Sequence, residues 1–249
     1  MEMNRITIED GFSSLLMDYE LKKAYTTIQS ITIMTTNTLL RSLNYYVMGQ
    51  TMIPIIILAA GMSTRFPGNK LLYKVFGEPL IRTIVKSALR SKADKVIVIT
   101  GFEADKISKV LEDLDIDIIY NENYNKGMSF SVKKSINCVR GIANAAIIHP
   151  ADVAFVPSEV FNRVIDYYLK TKAKIVIAGY RGIKGHPILF DSSLFNEIME
   201  ISEETMGLKA IVNKYKDKAV IVETNSEEVL LDIDTLEDLI NYLNRKHIR

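Results

Sequence analysis

Ile53-Pro-Ile-Ile-Ile-Leu58-Ala59-Ala60-Gly61-Met-Ser63-Thr-Arg65-Phe-Pro-Gly68-Asn-Lys70-Leu-Leu72 is the stretch whose reading decides the fold. Its first half, Ile53 to Ala60, is an unbroken apolar run rich in isoleucine. That length and β-branched content suit a strand buried on both faces of a parallel sheet. The second half turns abruptly small, polar and basic. A buried strand opening into a basic, glycine-containing loop is how α/β proteins set backbone N–H groups around an anion. The bland alternative is an ordinary turn with two surface cations, so spacing must decide. A Walker A loop fails, because Gly61 and Gly68 are too far apart and Asn69 separates Gly68 from Lys70. A dinucleotide fingerprint fails too, because Met62 and Ser63 follow Gly61.

Outward from that stretch the pattern alternates strand and helix. Helical spacing covers Glu78 to Arg90, Glu103 to Leu111, Ser129 to Val139, Ser158 to Leu169, Ser193 to Ile201, Met206 to Tyr215 and Thr235 to Leu243. Strands are expected at Lys95–Thr100, Ile116–Tyr120, Ala145–His149, Lys174–Ala178, Pro187–Phe190 and Ala219–Val222. The alternation predicts an α/β fold: a doubly wound, mostly parallel sheet flanked by helices, with one core. No internal repeat or linker interrupts it, so residues 52–249 read as one domain. Residues 1–51 lack sustained periodicity and read as an N-terminal extension, either foreign to the domain or a helical appendage to it.

Composition sets the outer limits. The chain has 249 residues, 31 Lys and Arg against 30 Asp and Glu, and a formal charge of +1. That balance gives no reason to expect nucleic acid or an anionic membrane as partner. No apolar run reaches the roughly 20 residues that span a bilayer. A single cysteine, Cys138, excludes an internal disulfide framework and fits a reducing cytoplasm; it reads as a buried, inert thiol.

Ligands in such sheets bind at the carboxyl ends of strands. After the expected fourth strand comes His149-Pro150-Ala151-Asp152, whose carboxylate is either a turn residue or a ligand for a hard cation. The segment Asn121 to Ser131 is long, polar and glycine-containing and opens a helix, with Gly127 or Ser129 near its N-cap. Gly185-His186-Pro187 sets an imidazole at a strand start. Asp232-Ile233-Asp234-Thr235 precedes the last helix: Asp234 or Thr235 suits an N-cap, with Glu237 and Asp238 favouring the dipole. Two aspartates on a strand end meeting Asp152 would also suit magnesium.

Leu58-Ala59-Ala60-Gly61-x-Ser63-x-Arg65-Phe66 with Lys70, Asn123-x-x-x-Gly127-Met128-Ser129-x-Ser131, Asp152, Gly185-His186-Pro187 and Asp232-Ile233-Asp234-Thr235 together resemble the molybdopterin cytidylyltransferase branch of the nucleotidyltransferases. The resemblance runs from Met52 to about Asn244. It implies the Rossmann-like three-layer fold of the nucleotide-diphospho-sugar transferases. It implies that Leu58–Gly61, Ser63, Arg65 and Lys70 hold a triphosphate, with Gly127, Met128, Ser129 and Ser131 along the nucleoside. Asp152 and Asp234, with Asp232 beside them, would hold Mg2+, and His186 would line the acceptor pocket or be a hydrogen-bonded structural residue. Ala59-Ala60-Gly61 points to CTP rather than GTP. Three departures stand out. Leu236 replaces the family's proline, no proline follows Asp152, and Lys209 stands where relatives carry arginine.

The implied reaction is attack of an acceptor phosphate on the α-phosphorus of CTP with release of pyrophosphate, the acceptor being molybdopterin or molybdenum cofactor. Arg65, Lys70 and Asp152 would carry it, Arg65 as a fork and Lys70 as a point charge. The resemblance also suggests a cytoplasmic protein in transient contact with a molybdoenzyme or its chaperone. Alternatives are a GTP-using guanylyltransferase, transfer to a sugar phosphate, and a non-catalytic nucleotide binder. A hydrolase is weaker still: Gly127-Met128-Ser129-Phe130-Ser131 only approaches a nucleophile elbow, with His149 or His186 as base.

Overall fold

In the computed structural model, which describes residues 51–247, the isoleucine run becomes β1 (Pro54–Ala59), an interior strand of a seven-stranded sheet. After it come a short hairpin, β2 (Lys74–Val75) and β3 (Glu78–Pro79), then α1 (Leu80–Leu89), β4 (Lys95–Thr100), α2 (Ala104–Lys109) and β5 (Asp117–Tyr120). The chain continues through α3 (Met128–Val139), β6 (Ala145–Pro150), α4 (Ser158–Thr171), β7 (Ile175–Tyr180) and β8 (Ile183–Asp191). It closes with α5 (Phe195–Ile198), α6 (Leu208–Lys214), β9 (Ala219–Glu223) and α7 (Leu236–His247). The expectation of a separate extension falls, apart from Thr51, outside the described residues.

The strand order is β5-β4-β1-β6-β8-β7-β9. All neighbours are parallel except β8, which runs antiparallel to both β6 and β7. The sheet is thus mostly parallel and doubly wound, as expected.

Side chains alternate across a strand, so one isoleucine run serves two cores. Ile55 and Ile57 pack with α1 and α4, through Ile81, Ile84, Val160 and Phe161. Ile56, between them, packs with α3, α5 and α6, through Val132, Ile136, Phe195 and Ile211. All three isoleucines are fully buried. A third cluster ties the loop after β1 to α7, with Phe66 against Val75, Leu80, Ile233 and Leu239.

Four local expectations are corrected. Glu78 and Pro79 belong to the β2–β3 hairpin, and α1 starts at Leu80. The expected short strand Pro187–Phe190 is the inner part of the nine-residue β8. Its outer end was missed because Ile183 and Lys184 are exposed and carry no core pattern. Asp232 and Asp234 lie in extended chain outside any strand, tied to the sheet end by the Ile233 N–H donating to the Asp152 carbonyl at 3.1 Å. Cys138 is exposed on α3, with its Sγ against the Lys134 carbonyl at 3.1 Å; partial burial still raises its thiol pKa.

Candidate active site

The strand order reverses beside β1: β4 and β5 lie on one side and the later β6 on the other. A doubly wound sheet opens its ligand crevice at such a switch point. Here the loops leaving β1 and β6 face each other. Leu58 pairs with Pro150, and the Ala151 N–H donates to the Leu58 carbonyl at 3.0 Å.

The loop after β1 is shaped by its own side chains. Ser63 adopts φ +53, and its carbonyl accepts from the Phe66 N–H at 3.0 Å. Its hydroxyl accepts from the Lys70 N–H at 3.3 Å, folding the loop back on itself. Asn69 caps the one-turn helix Lys70–Leu72 by accepting from the Leu71 N–H at 3.0 Å. Buried Phe66 is the anchor. At Gly61 an added Cβ would meet nothing within 4 Å, so the backbone there faces open space that a ligand oxygen can approach.

Four charged side chains meet in front of this loop. The Lys70 ammonium lies 2.8 Å from Asp152 and 3.1 Å from Asp234. Arg65 pairs with the other oxygen of Asp234 at 2.9 Å. Lys70 is mostly buried, with 12% of its side chain exposed, whereas Arg65 is 69% exposed and free to reorient. Asp232 lies nearby; burial first, then the charges of Asp152 and Asp234, push its carboxyl pKa up. Asp234 is held by α7: Thr235 is the N-cap, its hydroxyl accepting from the Asp238 N–H at 3.1 Å. Asp238 returns the contact, accepting from the backbone N–H groups of Asp234 and Thr235 at 3.1 and 2.7 Å. The Thr235 hydroxyl, 2.8 Å from the same carboxylate oxygen, and then those backbone bonds lower the Asp238 pKa.

Two cavities adjoin at Asp152. The smaller, about 310 Å³, is lined by Ala60, Gly61, Ser63, Lys70, Gly127 and Ser131, with Met62 and Tyr124. The larger, about 750 Å³, draws its charged and imidazole lining from Arg65, Lys184, His186, Lys209, Asp232 and Asp234. The rest of its wall is apolar, including Ile148, Ile177, Ile188 and Val212. Leu58, Met128, Pro150 and Asp152 border both.

Thirteen of the fifteen residues singled out in the sequence therefore line one or both cavities. Ala59 does not, because its side chain turns into the core with Ile55 and Ile57. Ser129 does not either: it is buried, and its hydroxyl has no hydrogen-bond partner. Ser131 accepts from the Asn121 amide at 2.9 Å.

Histidine chemistry is muted. His149 is fully buried, donates from Nε2 to the Val153 carbonyl at 2.9 Å and stacks edge-on against Phe161. Burial drives its pKa down to about 3, so it is neutral. His186 borders the larger cavity with Nδ1 buried and unpartnered, its pKa lowered by burial against the opposing pull of Asp152. Sequence reasoning passed over Met62, Tyr124 and Lys184, each within a few residues of a quoted motif. It also missed Glu203, which caps α3 from 74 positions away by accepting from the Ser129 N–H at 2.6 Å. No local signal marks that contact.

The family model for the MobA-like NTP transferase domain matches residues 55–219, two thirds of the chain. The chain belongs to this family. Within it, the chain is 26% identical over 196 residues to the molybdenum cofactor cytidylyltransferase of Escherichia coli, covering 78% of this chain and 96% of that one. It is 28% identical over 167 residues to a probable UDP-N-acetylglucosamine pyrophosphorylase of Acanthamoeba polyphaga mimivirus, covering 63% of this chain and 65% of that one. A nucleotidyl transferase from Methanothermobacter shares the fold, with a TM-score of 0.68, 19% identity, and coverage of 78% of this chain and 97% of that one. The MobA-like domain thus makes this protein a nucleotidyltransferase, and the family takes a nucleoside triphosphate and a phosphorylated acceptor. Among the described residues no helix is long and apolar enough to cross a membrane.

Proposed function

We propose that this protein transfers CMP from CTP to a phosphorylated acceptor of the molybdopterin type, releasing pyrophosphate. The observation that carries the reading is the junction of Arg65, Lys70, Asp152 and Asp234 where the two cavities meet. The smaller cavity, with the open backbone at Gly61, takes the triphosphate; the larger takes the acceptor. An acceptor phosphate oxygen attacks the α-phosphorus, the new P–O bond forms, and the α–β bridging bond breaks to release pyrophosphate. The nucleophile is already deprotonated, so no general base is required and neutral His149 has no chemical part. Catalysis here is positioning and charge neutralisation. Lys70 offers a point charge to the triphosphate, and Arg65, being exposed, swings as a fork onto phosphate oxygens.

The carboxylates fit Mg2+ in one respect: Asp152 and Asp234 already converge on a cation, the Lys70 ammonium. Among the described residues no group of three or more His, Cys, Asp or Glu side chains is placed to hold an ion. Magnesium would therefore use Asp152, Asp234 or both, with phosphate oxygens and water completing its shell. When bound it would supply Lewis-acid stabilisation of the phosphoryl charge.

The apolar wall of the larger cavity favours an acceptor with a flat ring that can pack against it over a sugar phosphate, whose hydroxyls on every face would need polar partners. The sequence relation to the molybdenum cofactor enzyme points the same way. Mass analysis of the product tests the reading: incubation with CTP, Mg2+ and molybdopterin should yield the acceptor enlarged by one cytidine monophosphate. Enlargement of a sugar phosphate instead would overturn the acceptor assignment, and transfer from GTP alone would overturn the nucleotide assignment.

A further inference from the structure

Glu203 lies in the turn between α5 and α6, away from every motif the reaction uses, yet it reaches α3. Its carboxylate accepts from the Ser129 N–H at 2.6 Å, taking one of the free N–H groups in the first turn of a 12-residue helix. Nothing local does this: Gly127 occupies the N-cap position and has no side chain. Gly127 stands at φ +115, and a Cβ there would fall on the Glu203 side chain, so its absence is what admits the carboxylate. The turn that carries Glu203 is itself braced, with Gly207 N–H to the Ser202 carbonyl at 2.9 Å and Met206 N–H to the Glu203 carbonyl at 3.1 Å. An added Cβ at Gly207 would lie 3.3 Å from the unpartnered Ser129 hydroxyl, so turn and helix start are in close contact.

Neither Ser129 nor Glu203 lines a cavity, but the chain on either side of the bond does. Gly127, Met128 and Ser131 line the smaller one, and Met128 also borders the larger. Leu208 and Lys209, which follow the turn directly, line the larger. We propose that Glu203 is a positioning residue for nucleotidyl transfer, holding the start of α3 as the wall between the cavities and tying its placement to the acceptor side. This rests on the nucleotidyl-transfer reading. An aspartate at 203 keeps the charge but loses the reach; a glutamine keeps the reach and an acceptor oxygen.

Calorimetric binding of CTP, without acceptor, to the full chain tests it. Glu203→Ala and Glu203→Asp should each bind CTP about tenfold more weakly, because the start of α3 is no longer held in its binding position, and Glu203→Gln should stay within about threefold. A merely structural cap would lower the unfolding temperature and leave the CTP dissociation constant of the folded variants unchanged; that result overturns the proposal. Should Glu203→Ala not fold, Glu203→Asp against Glu203→Gln decides alone. If the unaltered chain binds neither CTP nor GTP, the nucleotidyl-transfer reading falls and the proposal with it. Equal binding by the unaltered chain and the variants overturns only the role of Glu203.

Discussion

Lys70 neutralises two carboxylates at once, and replacing either partner changes a shared arrangement rather than an isolated pair. On the proposed reading, Asp152→Asn should lower kcat/KM by about 10²–10³-fold, the loss seen when one preorganised electrostatic contact to a transition state is removed. It should leave CTP affinity changed far less, because Lys70 keeps Asp234 at 3.1 Å. Steady-state kinetics beside calorimetric CTP binding checks both halves. A second residue, His149, contributes to the loss of stability in acid. Its folded pKa, about 3, lies below its ordinary 6.5, so the unfolded chain takes up the proton first. The stability that comes from burying the neutral ring is complete above pH 6.5 and is lost as pH falls towards 3. Urea unfolding should therefore show stability falling by about 1.4 kcal/mol per pH unit below 6.5 from this group, and His186, shifted the same way, adds to it. His149→Phe should flatten that slope. Nearly all the site residues named from the sequence line the cavities, because their motifs are contiguous. Ala59 and Ser129 were not separable from their neighbours, since a motif gives adjacency along the chain and not the side to which each side chain turns. Glu203 was illegible for the opposite reason: it meets its partner only through the fold.

At the level of elements, the unbroken isoleucine run announced a strand buried on both faces, and the structure divides Ile55 and Ile57 from Ile56 accordingly. The antiparallel strand β8 was read too short. It is joined to β7 by Arg181 and Gly182, both at positive φ, +51 and +78, which is the geometry of a two-residue hairpin turn. Ile183 stands alone at the start of β8, with no alternating apolar partner before Ile188, and it and Lys184 line the larger cavity. Gly182→Ala should cost about 1 kcal/mol through backbone strain alone, since a Cβ there meets nothing within 4 Å. Chemical denaturation of the purified variant checks this. Ile56→Ala, which opens a hole in a fully buried site, should cost about 2–5 kcal/mol in the same assay.

Across the whole molecule, the order of strands is what makes chemistry available. Because β6 pairs with β1 on the side away from β4, the loops after β1 and β6 converge, and the extended segment before α7 is drawn in by the Ile233 to Asp152 bond. The smaller cavity and the larger, mostly apolar one then share Asp152 as a common border. On the proposed reading both substrates must be bound before transfer, because the two reacting phosphates come from different cavities. The measurement that tests this most directly is the initial rate of pyrophosphate release with CTP and Mg2+, with and without molybdopterin. The account predicts release only when CTP and the acceptor are both present. Release from CTP at the same rate without acceptor would mean hydrolysis, and would contradict transfer between two adjoining sites.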